Sequence, residues 1–486
     1  MQDMLLILNF DDRYASAAAI KLRGEGIYCR ILPGDALPGE ILALSPLGIV
    51  LAGGVVGKVP MSLDGRLLHA GIPILALGNT AASVAMLLNG KSLPPQERET
   101  VDTVRFEPSP LTEELSESER MLHTVYPLEL TEEIAPIAYI GEDIIGFRHD
   151  ALSIYGLGFQ IESNDPDGFG ILLRFAREVC GCTSWWNESA FISASRSDIA
   201  AAVGEGTAIC AMTGGLDSGV SATLAHRALG DRLRCFFVDT GLLRENEAED
   251  FLTYYREKEN LHITRINAQE RFLEALQGKT TQEEKRAAID GCLRQVLHEA
   301  VAGVDYTAII RGITCSEVMR FGYGQTLLPS EGKTVIAPLR ELFKEEVRYV
   351  GEKLGMPPEI TAAQPFPGSG LALRIHGEAT PERLDTLRKA DDMFCEAIVA
   401  AGLHKKLWKY YAKLYRDDAD QGGIISLRAV GRVDVQSGGA ATIPARLPYD
   451  LLERYVQSVR ESCPEIRKVV YDVTPGGGSL DAMWLD

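Results

Sequence analysis

Ala208-Ile209-Cys210-Ala211-Met212-Thr213-Gly214-Gly215-Leu216-Asp217-Ser218-Gly219-Val220 is the stretch on which the reading of the fold turns. The apolar run Ala208–Met212 reads as a buried strand, Thr213–Gly215 as a glycine turn, and Ser218–Leu229 as an amphipathic helix with Val220, Leu224 and Ala228 on one face. A turn between strand and helix presents successive backbone amides and the positive helix end, which together can hold an anion. A second strand-like run, Cys235–Val238, follows at once. Repeated strand and helix units predict a doubly wound parallel sheet with ligands beyond the carboxyl ends of its strands. The chain contains no Gly-x-x-x-x-Gly-Lys-Ser/Thr match, so kinase-type transfer through a Walker A lysine is disfavoured.

Upstream, Leu5–Asn9, Tyr28–Leu32, Ile49–Leu51 and Ile74–Leu77 are strand-like, and Ala15–Arg23 is helix-like, which predicts another parallel α/β sheet. The uncharged span His69–Gly90 is long enough for a membrane helix, but Pro73, Gly78 and Asn79 divide it into strand, turn and helix. Downstream, the Pro/Gly-rich segment from Gln364 to Gly370 opens a tail of α+β character. At roughly 150 residues per domain, the 486 residues divide into three expected units: 1–190, 191–363 and 364–486.

Hydrophobic residues at 46% and charged residues at 24% suit a folded globular chain. The 49 basic residues against 68 acidic ones leave a net charge of -19, with no lysine cluster to offset it, which argues against nucleic acid as a partner. Nine cysteines without a C-x-x-C pair, together with the absence of a basic region before Leu5–Leu8, predict reduced thiols, no export signal, no membrane span and a cytoplasmic location.

The turn at 213–218 resembles the S-G-G-x-D-S loop of the ATP pyrophosphatase (PP-loop) family, with Thr213 in place of the first serine. Members of that family cleave ATP between the α and β phosphates. Val238–Arg244, Pro338–Arg348, the Gln364–Gly370 segment continuing to Arg374, Ser426–Val430, Leu447–Asp450 and Val470–Asp472 are similar, in order and spacing, to segments of the GMP synthase family. The resemblance covers nearly the whole chain. It implies adenylation of the C2 oxygen of xanthosine 5′-monophosphate (XMP), or a related nucleotide, followed by displacement of AMP by ammonia.

By that resemblance Thr213, Gly214, Gly215, Leu216, Asp217, Ser218, Val238 and Gly312 bind ATP, and Asp217 and Asp239 bind Mg²⁺. Asp217, Ser218, Asp239, Glu317 and Lys344 serve the chemistry, while Arg311, Gln364, Arg374 and Arg428 serve the acceptor. Glu317 stands where the family has an aspartate. The 364–486 unit resembles the family's dimerisation domain, implying a homodimer. The family's histidine-containing lid has no counterpart between Phe321 and Lys333, and its C-terminal lysine is missing from Pro475–Asp486, where Trp484 survives.

The first unit resembles a class I glutamine amidotransferase domain, which releases ammonia with a Cys-His-Glu set. Gly78 stands in the cysteine's position and Gln160 in the histidine's, and only Glu162 is kept. Gly53-Gly54 match the oxyanion loop, and Thr80 and Ser83 are the nearby hydroxyls. These replacements imply an enzyme without its own glutaminase, fed by free ammonia or by a separate protein. Two alternatives stay open: the same adenylation on a different acceptor, and a nucleotide-binding regulator without turnover.

Overall fold

Short aliphatic runs form the parallel half of the first unit's sheet, the three central ones buried on both faces and the edge strand at Cys29–Pro33 only partly buried. In the computed structural model they are β1 (Leu5–Asn9), β2 (Cys29–Pro33), β3 (Gly48–Ala52) and β4 (Ile74–Leu77). The structure describes all residues except 1–2, 55–62, 163–164, 323, 325, 365–367, 417–421, 432–442 and 475–486. The expected C-terminal tail and part of the lid region therefore lie outside the described residues.

The chain divides into two compact units, with the boundary between Phe191 and Ile192. In the first, β5 (Gln96–Phe106), β6 (Glu117–Val125), β7 (Ala135–Ile140), β8 (Asp143–His149) and β9 (Ile154–Leu157) complete a nine-stranded sheet of order β2-β1-β3-β4-β9-β8-β7-β5-β6. The pairs β1–β2, β1–β3, β3–β4 and β4–β9 are parallel, and the rest are antiparallel. The antiparallel half is an addition to the expected parallel sheet. β6 alternates buried and exposed positions and so covers one face only. Helix α1 (Asp12–Gly24) begins where the Asp11 carboxylate accepts from the Arg13 amide, and α2 (Asn79–Leu87) packs a nearly continuous buried run onto the sheet. Leu6, Leu8, Ile49, Leu51, Ile74, Ala81 and Val84 belong to one core cluster.

In the second unit, β10 (Ala208–Met212), β11 (Leu233–Asp239), β12 (Ile263–Asn267), β13 (Ala308–Ile310) and β14 (Thr334–Ile336) form an all-parallel sheet of order β12-β11-β10-β13-β14. The order reverses around β10, and β10 leads through the glycine turn into helix α3 (Leu216–Leu229). The unit also contains helices α4 (Gln282–Val301), α5 (Cys315–Phe321) and α6 (Lys344–Lys353).

Beyond residue 364 come α7 (Pro381–Ala400), α8 (Tyr449–Ser462) and a sheet of order β15-β16-β17 from Leu407–Arg416, Gly423–Gly431 and Ile466–Tyr471. A single buried cluster runs from Ile209 and Phe236 through Leu371 and Leu387 to Leu427 and Ile466. The α+β tail thus shares its core with the parallel sheet, within one unit. No helix among the described residues is long and apolar enough to cross a membrane.

Candidate functional site

The turn after β10 is built to leave its amides available. Gly215 is the residue before α3 and provides no side-chain cap, so the first amides of the helix have no internal acceptor. Gly214 takes φ +84°, in the left-handed region that glycine adopts without strain. A Cβ on Gly214 would meet nothing nearer than 3.9 Å, and one on Gly215 nothing nearer than 3.8 Å, so space lies open above the turn. The buried Ser218 hydroxyl ties the turn together, donating to the Gly215 carbonyl at 2.9 Å and accepting from the Thr213 amide at 3.2 Å. Thr213 is exposed, with its hydroxyl 3.4 Å from that of Ser218.

Asp217 lies in the first turn of α3, where the positive helix end favours a carboxylate. Lys344, at the start of α6, donates to its Oδ2 at 2.5 Å, while its Oδ1 is buried with no hydrogen-bond partner. A buried, unpaired carboxylate oxygen beside an open amide nest fits a cation brought in with a phosphate. Gly312, just past the end of β13, supports the turn from the side: a Cβ there would lie 2.6 Å from the Ser218 amide nitrogen and 2.7 Å from the Asp217 carbonyl. Leu216 is half-buried beside it as the first residue of the helix. Val238 is part of the buried core cluster.

Asp239 is engaged within the protein. Its Oδ2 accepts from Arg265 at 2.7 Å and Gln269 at 3.1 Å, and its Oδ1 from the Gly241 amide at 3.1 Å. Burial opposes its ionisation, but these donors hold its carboxyl below the usual value. Both oxygens are thus used in fixing the loop after β11. Glu317 is likewise drawn into structure: its Oε2 accepts from the Thr314 amide at 2.7 Å and hydroxyl at 2.9 Å, closing a capping box on α5. The extra methylene relative to aspartate lets the side chain curl back onto its own helix start.

Three of the four expected acceptor residues are also internal ties. Arg374, 4% exposed, pairs with fully buried Asp391 at 3.0 Å and lies over the Tyr411 ring. Burial pulls its pKa down and Asp391 opposes the shift. Asp391 also pairs with Arg244 at 3.2 Å, locking the 241–244 loop against α7. Arg428 pairs with Asp472 at 3.0 Å, and Gln364 accepts from the Tyr410 amide at 3.0 Å. Arg311, directly before Gly312, lines a cavity of about 780 Å³, and Arg374 borders a smaller one of about 250 Å³ with Lys413 and His376. Asp391, Arg265 and Gln269 are further members of these networks, and their polar sequence surroundings give no signal of that role.

The first unit presents the same strand-to-helix design at β4–α2, with opposite contents. Gly78 holds φ +63° and ψ -129°, a sharp elbow between strand and helix, and its amide donates to the Leu157 carbonyl at 2.8 Å. A Cβ at Gly78 would fall 2.0 Å from Gln160 Nε2, so the Gln160 side chain occupies the place of a nucleophile. Gln160 Oε1 is buried without a hydrogen-bond partner. Glu162 accepts from the Tyr14 hydroxyl at 3.1 Å and lies 4.0 Å from Arg13. Thr80 and Ser83 donate to backbone carbonyls, at 2.8 Å to Leu77 and 3.0 Å to Asn79, so neither hydroxyl is presented to the elbow. Gly54 abuts the Asn79 side chain, and the residues after it, 55–62, are outside the described part.

An open amide nest with a carboxylate at the switch point of a parallel sheet defines a nucleotide-cleaving enzyme of the PP-loop class, and the NAD synthase family model matches residues 195–406. A GMP synthase [glutamine-hydrolyzing] of Caldicellulosiruptor saccharolyticus is 35% identical over 97% of this chain and 98% of its own length. One from Caldanaerobacter subterraneus is 34% identical over 97% of each. Among solved structures, an NMN synthetase from Francisella tularensis aligns with 38% of this chain and 77% of its own, at 22% identity and a TM-score of 0.31. The chain belongs to the GMP synthase family, and its chemistry is that of a C–N ligase of the PP-loop type, an amidation driven by ATP pyrophosphate cleavage.

Proposed function

We propose that the protein adenylates the oxo group of XMP, or of a closely related nucleotide, and aminates it with ammonia that it does not itself draw from glutamine. One contrast carries the reading: the turn at Gly214–Ser218 is open and donor-rich, whereas the elbow at Gly78 is filled by Gln160. In the first step the acceptor oxygen attacks the α phosphorus of ATP, the bond to the bridging oxygen breaks, and pyrophosphate leaves carrying the charge. The 214–218 amides face that charge, and Lys344 is placed to exchange its contact with Asp217 for one with the phosphates. Mg²⁺, held through Asp217, would supply further neutralisation of the leaving group. In the second step ammonia adds at the activated carbon and AMP departs, so an oxygen that leaves poorly becomes one that leaves well.

Ammonia reaches this protein free or from a separate glutaminase. The segment from 364 onward serves as the dimerisation module of a homodimer, as the family resemblance implies, and the cysteine usage suits a cytoplasmic location. The mixture that tests the reading contains the full chain, ATP, Mg²⁺, XMP and ammonium. GMP, AMP and pyrophosphate are expected in equal amounts. Pyrophosphate release with another acceptor but not XMP would reassign the acceptor, and tight ATP binding without release under any acceptor would make the protein a regulator.

A further inference from the structure

Along the edge strand β14, and reaching the carboxyl end of β13 at Arg311, lies a cavity of about 780 Å³. Its wall draws Arg294 and His298 from α4, Arg311 from the end of β13, Ser330 from the preceding loop and Arg340 from the segment after β14. Glu331 is the acidic group on the same wall. Three guanidinium groups converge on this hollow beside a single lining carboxylate, in a chain whose net charge is -19. Each arginine keeps a contact of its own: Arg294 with the field of Asp290, Arg340 with Glu341 at 3.8 Å, and Arg311 with the Gly324 carbonyl at 3.5 Å. Arginine forks match phosphate oxygens two at a time, and hydroxyls such as Ser330 add single donors.

The position is functional in its own right. Ligands of such sheets bind outside the strand carboxyl ends, and Arg311 immediately precedes Gly312, whose Cα is packed against the Asp217–Ser218 backbone. The volume lies within the range of small-molecule sites and far exceeds the needs of a lone inorganic ion. We propose that this cavity binds the phosphate-bearing end of a phosphorylated small molecule, with Arg294, Arg311 and Arg340 as its phosphate partners. The sources of that phosphate are the acceptor nucleotide or a separate phosphorylated effector. The first of these rests on the amidation reading above, whereas the binding site does not.

Calorimetric titration of the full chain with ribose 5-phosphate, and with ribose as the control, tests the site without turnover. The phosphate ester is expected to bind at least tenfold more tightly than ribose, and the R294A/R340A double variant to weaken it tenfold or more. Glu331→Gln, which removes the opposing carboxylate, should tighten it severalfold. Binding of a non-hydrolysable ATP analogue to the double variant verifies that the fold is intact. Equal affinity for ribose and its phosphate in the parent protein, or undiminished binding by the double variant, would overturn the proposal. If the double variant also raises the KM for XMP, the phosphate is the acceptor's own; if it loses ribose 5-phosphate at unchanged KM for XMP, the site belongs to an effector.

Discussion

The turns after β4 and after β10 begin alike and end differently. Each follows a buried parallel strand, each places glycine where a side-chain cap would otherwise stand, and each starts a helix packed on its sheet. After β10, nothing lies within 3.8 Å of a Cβ on either Gly214 or Gly215, and a carboxylate oxygen waits unpaired nearby. After β4, Gln160 stands 2.0 Å from where the first side-chain atom of residue 78 would be. The two turns thus share a backbone design while differing in what their side chains leave open. Geometry held by strand pairing and helix packing is maintained by the whole sheet, whereas the chemistry depends on one or two side chains.

The largest effect is expected at Asp217. Asp217→Ala removes the carboxylate of the open turn and should lower ammonium-dependent pyrophosphate release roughly 10²–10³-fold, measured by a coupled pyrophosphate assay; a rate equal to the parent's would erase the functional difference between the two turns. Gly312→Ala comes next, because its methyl must displace the Ser218 amide it would approach to 2.6 Å. An increase of roughly tenfold in the KM for ATP, about 1.4 kcal/mol, is expected, and an unchanged KM would mean the 217–218 backbone is not part of the nucleotide site.

Gly78→Cys sharpens the comparison from the other side. The new side chain meets both a positive φ and Gln160, so a loss of about 1–3 kcal/mol in stability is expected, read from denaturant unfolding of the full chain. Pairing it with Gln160→Ala should return part of that loss by removing the overlap. If the single variant is as stable as the parent, Gln160 does not fill the elbow.

The smallest effect concerns two buried cations. Arg120 in the first unit has Asp165 at 2.7 Å, whereas Lys285 in the second is fully buried and donates only to the carbonyls of Ala372 and Ile375. Burial pushes the Lys285 pKa down to about 8 from 10.5. The folded protein then binds fewer protons than the unfolded chain between those values, so its stability rises as pH climbs through that window and the cost is fully present below it. Lys285→Met should flatten the rise, as chemical denaturation at pH 7.5 and pH 10 would reveal.

Much of this was legible in the sequence because hydrophobic runs and glycine turns are local signals. The strand Ala208–Met212 and the strand–turn–helix division of 69–90 are found as read. The antiparallel half of the first sheet was not legible, since Gln96–Phe106 and Glu117–Val125 carry enough polar residues to resemble loop. The site residues divide on a similar principle. Those fixed by the turn itself, Thr213 to Ser218, are where the pattern put them. Glu317, Arg374 and Arg428 are instead tied to Thr314, Asp391 and Asp472; the first is a local cap, and the other two join different secondary-structure elements. Charge type predicts that such a side chain needs a partner, but only tertiary packing decides which one.

The central claim is that ATP chemistry persists here while glutamine chemistry does not, and the ratio of two rates tests it most directly. With ATP, Mg²⁺ and XMP held saturating, initial rates of GMP formation are measured with ammonium and then with glutamine as the nitrogen source. The account predicts product with ammonium and none above background with glutamine. Equal rates with the two would show that the filled elbow at Gly78 still releases ammonia, and would contradict it.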